Sequence, residues 1–160
     1  MRRREFIVGL GGAAAWPVVA RTQQSTKIPR VGILSPANNE AAATLAAFRN
    51  GIHDLGYVEG QTIVLEFRLS KGNFDALPAL AAELVRIPVD VIVTDTTTAA
   101  RSAFDATRTI PIVTATVAGD PVAYGFAKSY ARPGGNVTGL RLRTDDLSAK
   151  RLQLLKQAMC

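Results

Sequence analysis

The sequence has one cysteine, Cys160, and one histidine, His53, among its 160 residues. A single thiol builds no disulfide framework within the chain and no cysteine-based metal cluster. No lipid anchor is expected either, because that requires a cysteine just after an N-terminal apolar segment, and Cys160 is the last residue. Aromatic residues make up only 6% of the chain. They form no dense stripe with basic residues, and nucleic acid is not an expected partner. No uncharged apolar run reaches the roughly 18 residues of an ordinary membrane span. Also missing are G-x-S-x-G, the P-loop and H-E-x-x-H, the strings that mark nucleophile elbows, phosphate cradles and zinc proteases. There is no repeat at a fixed period and no low-complexity tract.

What is present points to one folded unit. A hydrophobic content of 48% excludes a disordered chain. The length suits a single α/β or β-sandwich domain. Nineteen basic against 13 acidic side chains give a net charge of +6.

The first twenty residues read as an export signal. Arg2, Arg3 and Arg4 form a cationic start, a short glycine- and alanine-rich apolar stretch follows, and Pro17 breaks it. Val18 and Ala20 fit the small-residue rule for cleavage. The run Arg3-Arg4-Glu5-Phe6-Ile7 resembles the twin-arginine core, although Arg2 and Val8 depart from its usual flanks. A general secretory signal remains an alternative. Gly9-Leu10-Gly11-Gly12-Ala13-Ala14 also fits the dinucleotide fingerprint G-x-G-x-x-A. That reading fails because Pro17 falls inside the helix it needs. No strand ending in Asp or Glu follows at the right distance. After removal of residues 1–20 the chain would hold 16 basic and 12 acidic groups, a mild balance that favours solubility.

Beyond a polar leader over 21–29, strands and helices alternate. Val31-Gly32-Ile33-Leu34 predicts a first strand ending at Ser35-Pro36. Residues 40–55 carry Leu45, Phe48, Ile52 and Leu55 at helical spacing, stopped by Gly56. Residues 62–69 alternate Ile63, Leu65, Phe67 and Leu69 against Glu66 and Arg68, as an edge strand with one wet face does. Asn73 predicts a cap for a helix over 74–86 with the stripe Leu77, Leu80, Leu84 and Val85. The β-branched run 89–94 predicts a third strand buried on both faces. A helix over 98–107, a strand over 111–117, a helix near 122–130, a strand over 136–142 and a helix over 144–159 complete the pattern. Strand–helix units in series define an α/β fold with a doubly wound parallel sheet.

Ligands in such folds sit at the strand C-terminal edge, where the strand order reverses. Three loops are predicted there: Ser35, Pro36, Ala37 and Asn38; Asp95, Thr96, Thr97 and Thr98; and Ala118, Gly119 and Asp120. Each offers small polar groups beside a helix start, a setting suited to a carboxylate or other small anion. The same residue types also serve as plain helix caps. His53 lies off the apolar stripe of its helix and reads as a solvated histidine. Asp95 and Asp120 allow a second reading, a small α/β enzyme or regulatory domain using a metal or phosphate, although no lysine stands in a matching loop. The sequon Asn136-Val137-Thr138 follows Gly134-Gly135 and reads as a turn. Phe104, Tyr124 and Tyr130 read as core or flank.

Several strings together carry a family resemblance. They are RREFIVGLGGAAAWPVVARTQQ at 3–24, VGILS at 31–35, FRNGIHDLGYVEGQ at 48–61, DALPALAAELVRIPVDVIV at 75–93, TIPIVTATVAGDP at 109–121 and RPGGNVTG at 132–139. In this order they resemble the periplasmic substrate-binding proteins of ABC transporters, in the branch related to tryptophan/tyrosine-type binding proteins. The resemblance implies a type I periplasmic-binding fold, in which two α/β lobes close on a small-molecule ligand and deliver it to an inner-membrane ABC permease. It implies a periplasmic, non-enzymatic protein without cofactor or metal, and it places the ligand contacts of the first lobe in the three loops named above. Members run to about 300 residues, two domains by size. The expected organisation is therefore an export signal over 1–20, a leader over 21–29 and the N-terminal lobe over 30–160, with the second lobe absent. A lobe without its partner is expected to leave some apolar surface exposed.

Overall fold

The computed structural model describes residues 27–142 and 145–158, so the segment expected to be an export signal and most of the expected leader lie outside the described residues. The elements are β1 (Arg30–Ser35), α1 (Ala43–Asp54), β2 (Val64–Leu69), α2 (Leu77–Arg86), β3 (Val91–Thr94), α3 (Thr97–Ala106), β4 (Ile112–Ala118), β5 (Val137–Leu142) and α4 (Asp145–Ala158). All five strands pair in parallel, in the order β2-β1-β3-β4-β5. The fold is α/β with a doubly wound parallel sheet, as the alternation predicts.

Each face of the sheet has its own core. On one face Val31, Ile33, Leu45 and Ile63 are buried, with Phe48 and Ile52 of α1 packed against them. On the other, Leu77, Ala81 and Leu84 of α2 and Ala99, Ala100 and Ala103 of α3 pack on Leu34, Ile92 and Ile112. Gly32 allows α2 to lie this close, since a Cβ there would stand 3.0 Å from Leu84 Cδ2. The strand order turns round between β1 and β3, and α1 and α3 leave on opposite faces there.

Four expectations need correction. Residues 122–130 form turns, not a helix. Gly125 adopts φ +72° and its N–H donates to Val122 C=O, while the Phe126 N–H donates to Pro121 C=O. This pair of bonds is the glycine-closed end of a helix, reached after a single turn, and it swings Phe126 into the core. Leu55 is no member of the α1 stripe: it sits at the C-terminal cap and is 77% exposed. α1 itself begins at Ala43, because the Asn39 carbonyl side chain accepts the Ala41 N–H and holds residues 39–42 in a turn. In β3, Ile92 and Thr94 are buried but Val91 and Val93 only half-buried, because α1 covers that face incompletely.

Apolar surface does remain open. Leu140 and Leu142 on β5 and Leu152, Leu154 and Leu155 on α4 are exposed. Replacing Leu84 with Ala is expected to cost about 2–5 kcal/mol, because it empties a fully enclosed site. Leu55→Ala is expected to stay within about 0.5 kcal/mol. Urea unfolding of the two variants checks the contrast, and equal losses would contradict the packing described.

Candidate functional site

The crevice lies where β1 and β3 end side by side. Ser35, the last residue of β1, is fully buried, and its hydroxyl donates to Asp95 Oδ2 at 2.6 Å while accepting the Ala37 N–H at 3.0 Å. This one hydroxyl joins the first two predicted loops. Asp95 is fixed from behind by the Thr116 hydroxyl, which donates to its backbone carbonyl at 2.8 Å. The third loop is joined to the second where the Ala118 N–H donates to Thr97 Oγ1 at 2.9 Å.

An open depression of about 690 Å³ lies above the Ser35–Asp95 contact, with Pro36, Ala37, Asn38, Thr44, Phe74 and Asp95 in its wall. Of the predicted residues, Pro36, Ala37, Asn38 and Asp95 thus meet one space. Ser35 lies beneath it as a support. Thr96 caps α3, its hydroxyl accepting the Ala99 N–H at 3.2 Å. The Thr97 and Thr98 N–H groups precede the first bond within α3, in which Ala100 donates to Thr96 C=O, and so carry the helix's positive end. Thr98 is exposed.

Ala118, Gly119 and Asp120 do not border the depression. They belong to a separate polar cluster. Asp120 Oδ1 accepts the Tyr130 hydroxyl and the Val122 N–H, each at 2.8 Å. Arg141 donates to the Tyr130 oxygen at 3.0 Å and to Gly119 C=O at 2.7 Å. The Tyr130 hydroxyl first, then the Val122 N–H, hold the Asp120 carboxyl below its ordinary range. Donation to Asp120 in turn pushes the Tyr130 hydroxyl above its ordinary value. Asp95 and Asp120 therefore have different partners. Among the described residues no group of three His, Cys, Asp or Glu side chains gathers to hold a metal.

Sequence reasoning overlooked Phe74, which is 51% exposed and borders the depression. Its place in the predicted helix hid it, because the first turn is in fact a 3-10 turn over Phe74–Ala76. Tyr130 and Arg141 were also overlooked as partners of Asp120, and nothing in their spacing reveals it. Of the remaining candidates, His53 is 82% exposed by side chain, as expected. Asn136 is structural, its amide donating to Thr107 C=O and Ile110 C=O. Phe104 packs edge-on against Phe126 at 5.3 Å.

A parallel α/β layer with a polar crevice at its switch point defines a ligand-binding lobe. The model of the family described as ABC transporter substrate binding protein matches residues 30–159, and the chain belongs to that family. The tyrosine-binding protein of Clostridioides difficile (strain R20291) is 36% identical over 110 residues, which are 68% of this chain and 31% of that protein. The fold is similar to an ABC domain from Streptococcus pneumonia solved in complex with L-Trp, with TM-score 0.63 and 26% identity over 72% of this chain and 39% of that one. It is similar also to the ligand-free, open form of a Clostridium difficile substrate binding protein with adhesive properties, with TM-score 0.63 and 30% identity over 70% and 38% of the two chains. The chain thus spans about a third of the length of these relatives.

The Asp120 cluster makes a prediction. A carboxyl whose folded pKa lies below its unfolded value adds stability above the unfolded value, and that stability is lost as pH falls through the folded one. Tyr130→Phe removes the largest cause, so Asp120 is expected to titrate at higher pH in the variant, and the stability it adds shrinks. Carboxyl ¹³C titration of both proteins checks this; an unmoved Asp120 would contradict the assignment.

Proposed function

We propose that this chain is the first lobe of the solute-binding component of an ABC-type uptake system. In this reading residues 1–20 direct export, residues 21–29 form a leader, and residues 30–160 form one wall of a cleft in the periplasm. The ligand is an amino acid or a similar small carboxylate, handed on to an inner-membrane permease. The protein binds and releases it without turnover and without a cofactor.

The observation that carries this reading is the bond of Ser35 to Asp95 at the switch point, with Asp95 and Thr97 each tied separately to β4 through Thr116 and Ala118. A floor held rigid in this way presents its groups at fixed positions, which lowers the entropy lost on binding. The Thr97 and Thr98 N–H groups at the start of α3 suit the ligand's carboxylate. Phe74 offers its ring as an apolar wall to the ligand's side chain. The same ligand class is supported by the relatives, one a tyrosine-binding protein and one solved with L-Trp.

Affinity in a closing cleft comes from contacts on both walls, and closure is a hinge between them. One wall alone is therefore expected to bind in the millimolar range, about −4 kcal/mol. Titrating L-tyrosine into the ¹⁵N-labelled chain should shift the amides of residues 35–38 and 95–98 with a dissociation constant of that order. Micromolar affinity would refute the one-wall reading. Shifts confined to other residues, or none, would refute the site.

A further inference from the structure

Pro133, Gly134 and Gly135 stand just before β5 and take no part in the depression at the switch point. They border a second open recess of about 460 Å³, together with Phe104, Arg108 and Lys128. The two spaces share no residue. Arg108 lies ahead of β4 and the glycine pair ahead of β5, at the strand N-terminal edge, opposite the crevice. Both charged side chains of this wall are cations. Arg108 is held before any ligand arrives: its guanidinium lies 3.7 Å over the Phe104 ring, donates to Thr107 C=O at 3.4 Å and faces Asp105 at 3.8 Å. Asp105 also pairs with Arg101 at 2.8 Å, so one carboxylate serves two guanidinium groups and positive charge remains. Lys128 is exposed, and no carboxylate among the described residues pairs with it. Its stem runs along Gly134, where a Cβ would stand 3.4 Å from Lys128 Cδ. Neither the Gly134 nor the Gly135 N–H donates to an acceptor among the described residues. Gly134 takes φ +61°, and a left-handed residue in a turn is the geometry in which successive N–H groups share an anion. Gly135 leaves little room for a side chain, since a Cβ there would stand 3.0 Å from the Phe126 carbonyl oxygen.

We propose that this recess is a second binding site, for a phosphate group, with Lys128 and Arg108 as its cations and the Gly134 and Gly135 N–H groups as neutral donors. The inference does not rest on the reading of the cleft. A carboxylate brings one charge and two acceptor oxygens. A phosphate monoester brings a charge of about −1.5 to −2 at neutral pH and three strong acceptors, which two cations and two N–H groups match more fully. The planar fork of Arg108 suits two phosphate oxygens at once, and Lys128 adds a point charge on a flexible stem. Phe104 and Pro133 give the organic part of such a ligand an apolar wall. A soluble phosphate ester and a phospholipid headgroup carry the same group, and the experiment separates them.

Inorganic phosphate and phenyl phosphate are titrated into the ¹⁵N-labelled 160-residue chain at neutral pH and low ionic strength. Amides of residues 125–128 and 134–136 should shift with a dissociation constant on the order of 1 mM. Lys128→Gln, an exposed change, should weaken this about threefold to fivefold, as should Arg108→Gln. Lys150→Gln on α4 serves as a remote loss of charge and should change nothing. The dispersion of the amide spectrum reports whether each variant folds. Shifts of residues 35–38 and 95–98 by L-tyrosine are expected unaltered in Lys128→Gln, so either reading can fail without the other. Sedimentation with phosphatidylcholine vesicles, with and without phosphatidylglycerol, tests the lipid source: retention only by the anionic vesicles, lost in Lys128→Gln, assigns the phosphate to a headgroup. Shifts from the soluble probes without retention assign it to a free ester. Unchanged affinity in both Lys128→Gln and Arg108→Gln, or an equal loss in Lys150→Gln, would overturn the site. Neither shifts at these residues nor retention by vesicles would overturn it as well.

Discussion

Neighbouring strands β1 and β3 send their following helices to opposite faces of the sheet, and the rest of the molecule's usefulness depends on that divergence. Two parallel strands whose crossovers run the same way leave no gap at their ends, because adjacent loops cover each other. Here α1 leaves toward the Leu45 face and α3 toward the Ala99 face. Asn38, Asn39, Thr44, Phe74 and the one carboxylate, Asp95, are among the residues that line the space there. Burial of Ser35 at the end of β1 places a hydroxyl under this crevice. Its bond to Asp95 crosses the gap and locks the two strand ends to each other.

Support for that arrangement comes from two unequal cores. α2 and α3 bury Leu77, Leu84, Ala99, Ala100 and Ala103 completely, so the third and fourth strands are held firmly from one side. The opposite side carries α1 alone, with Val93 half-buried and Val113 37% exposed. Apolar positions on β5 and α4 are open as well. Such surface suits a chain that spans a third of its relatives' length and whose family members carry more polypeptide. The crevice itself does not need that cover, since its floor is bonded internally.

Much of this was legible in the residues. Alternation over 62–69 placed β2 at an edge with Glu66 and Arg68 outward, and β2 is an edge strand. Spacing of Leu77 and Leu84 marked the buried face of α2. That the loops after β1 and β3 meet at one edge was also readable, because a polar run after a buried strand has few other places to go. The helix expected over 122–130 was not, since Gly125 can continue a helix or end one, and the Phe126 pocket decides which. Leu55 has the right spacing for a stripe, but the helix ends beneath it. Phe74, expected only as the start of a helix over 74–86, lies in a 3-10 turn and borders the depression.

Composition and periodicity alone determined the fold class and the succession of the five strands, because each depends on local spacing and on which side chains leave water. Tertiary structure decided which loops share a space. Loop 35–38 meets Asp95, whereas Asp120, equally placed on paper, turns away to Tyr130 and Arg141. That choice depends on strand order and on the path of residues 121–133, both set by contacts distant in sequence. No local pattern encodes them.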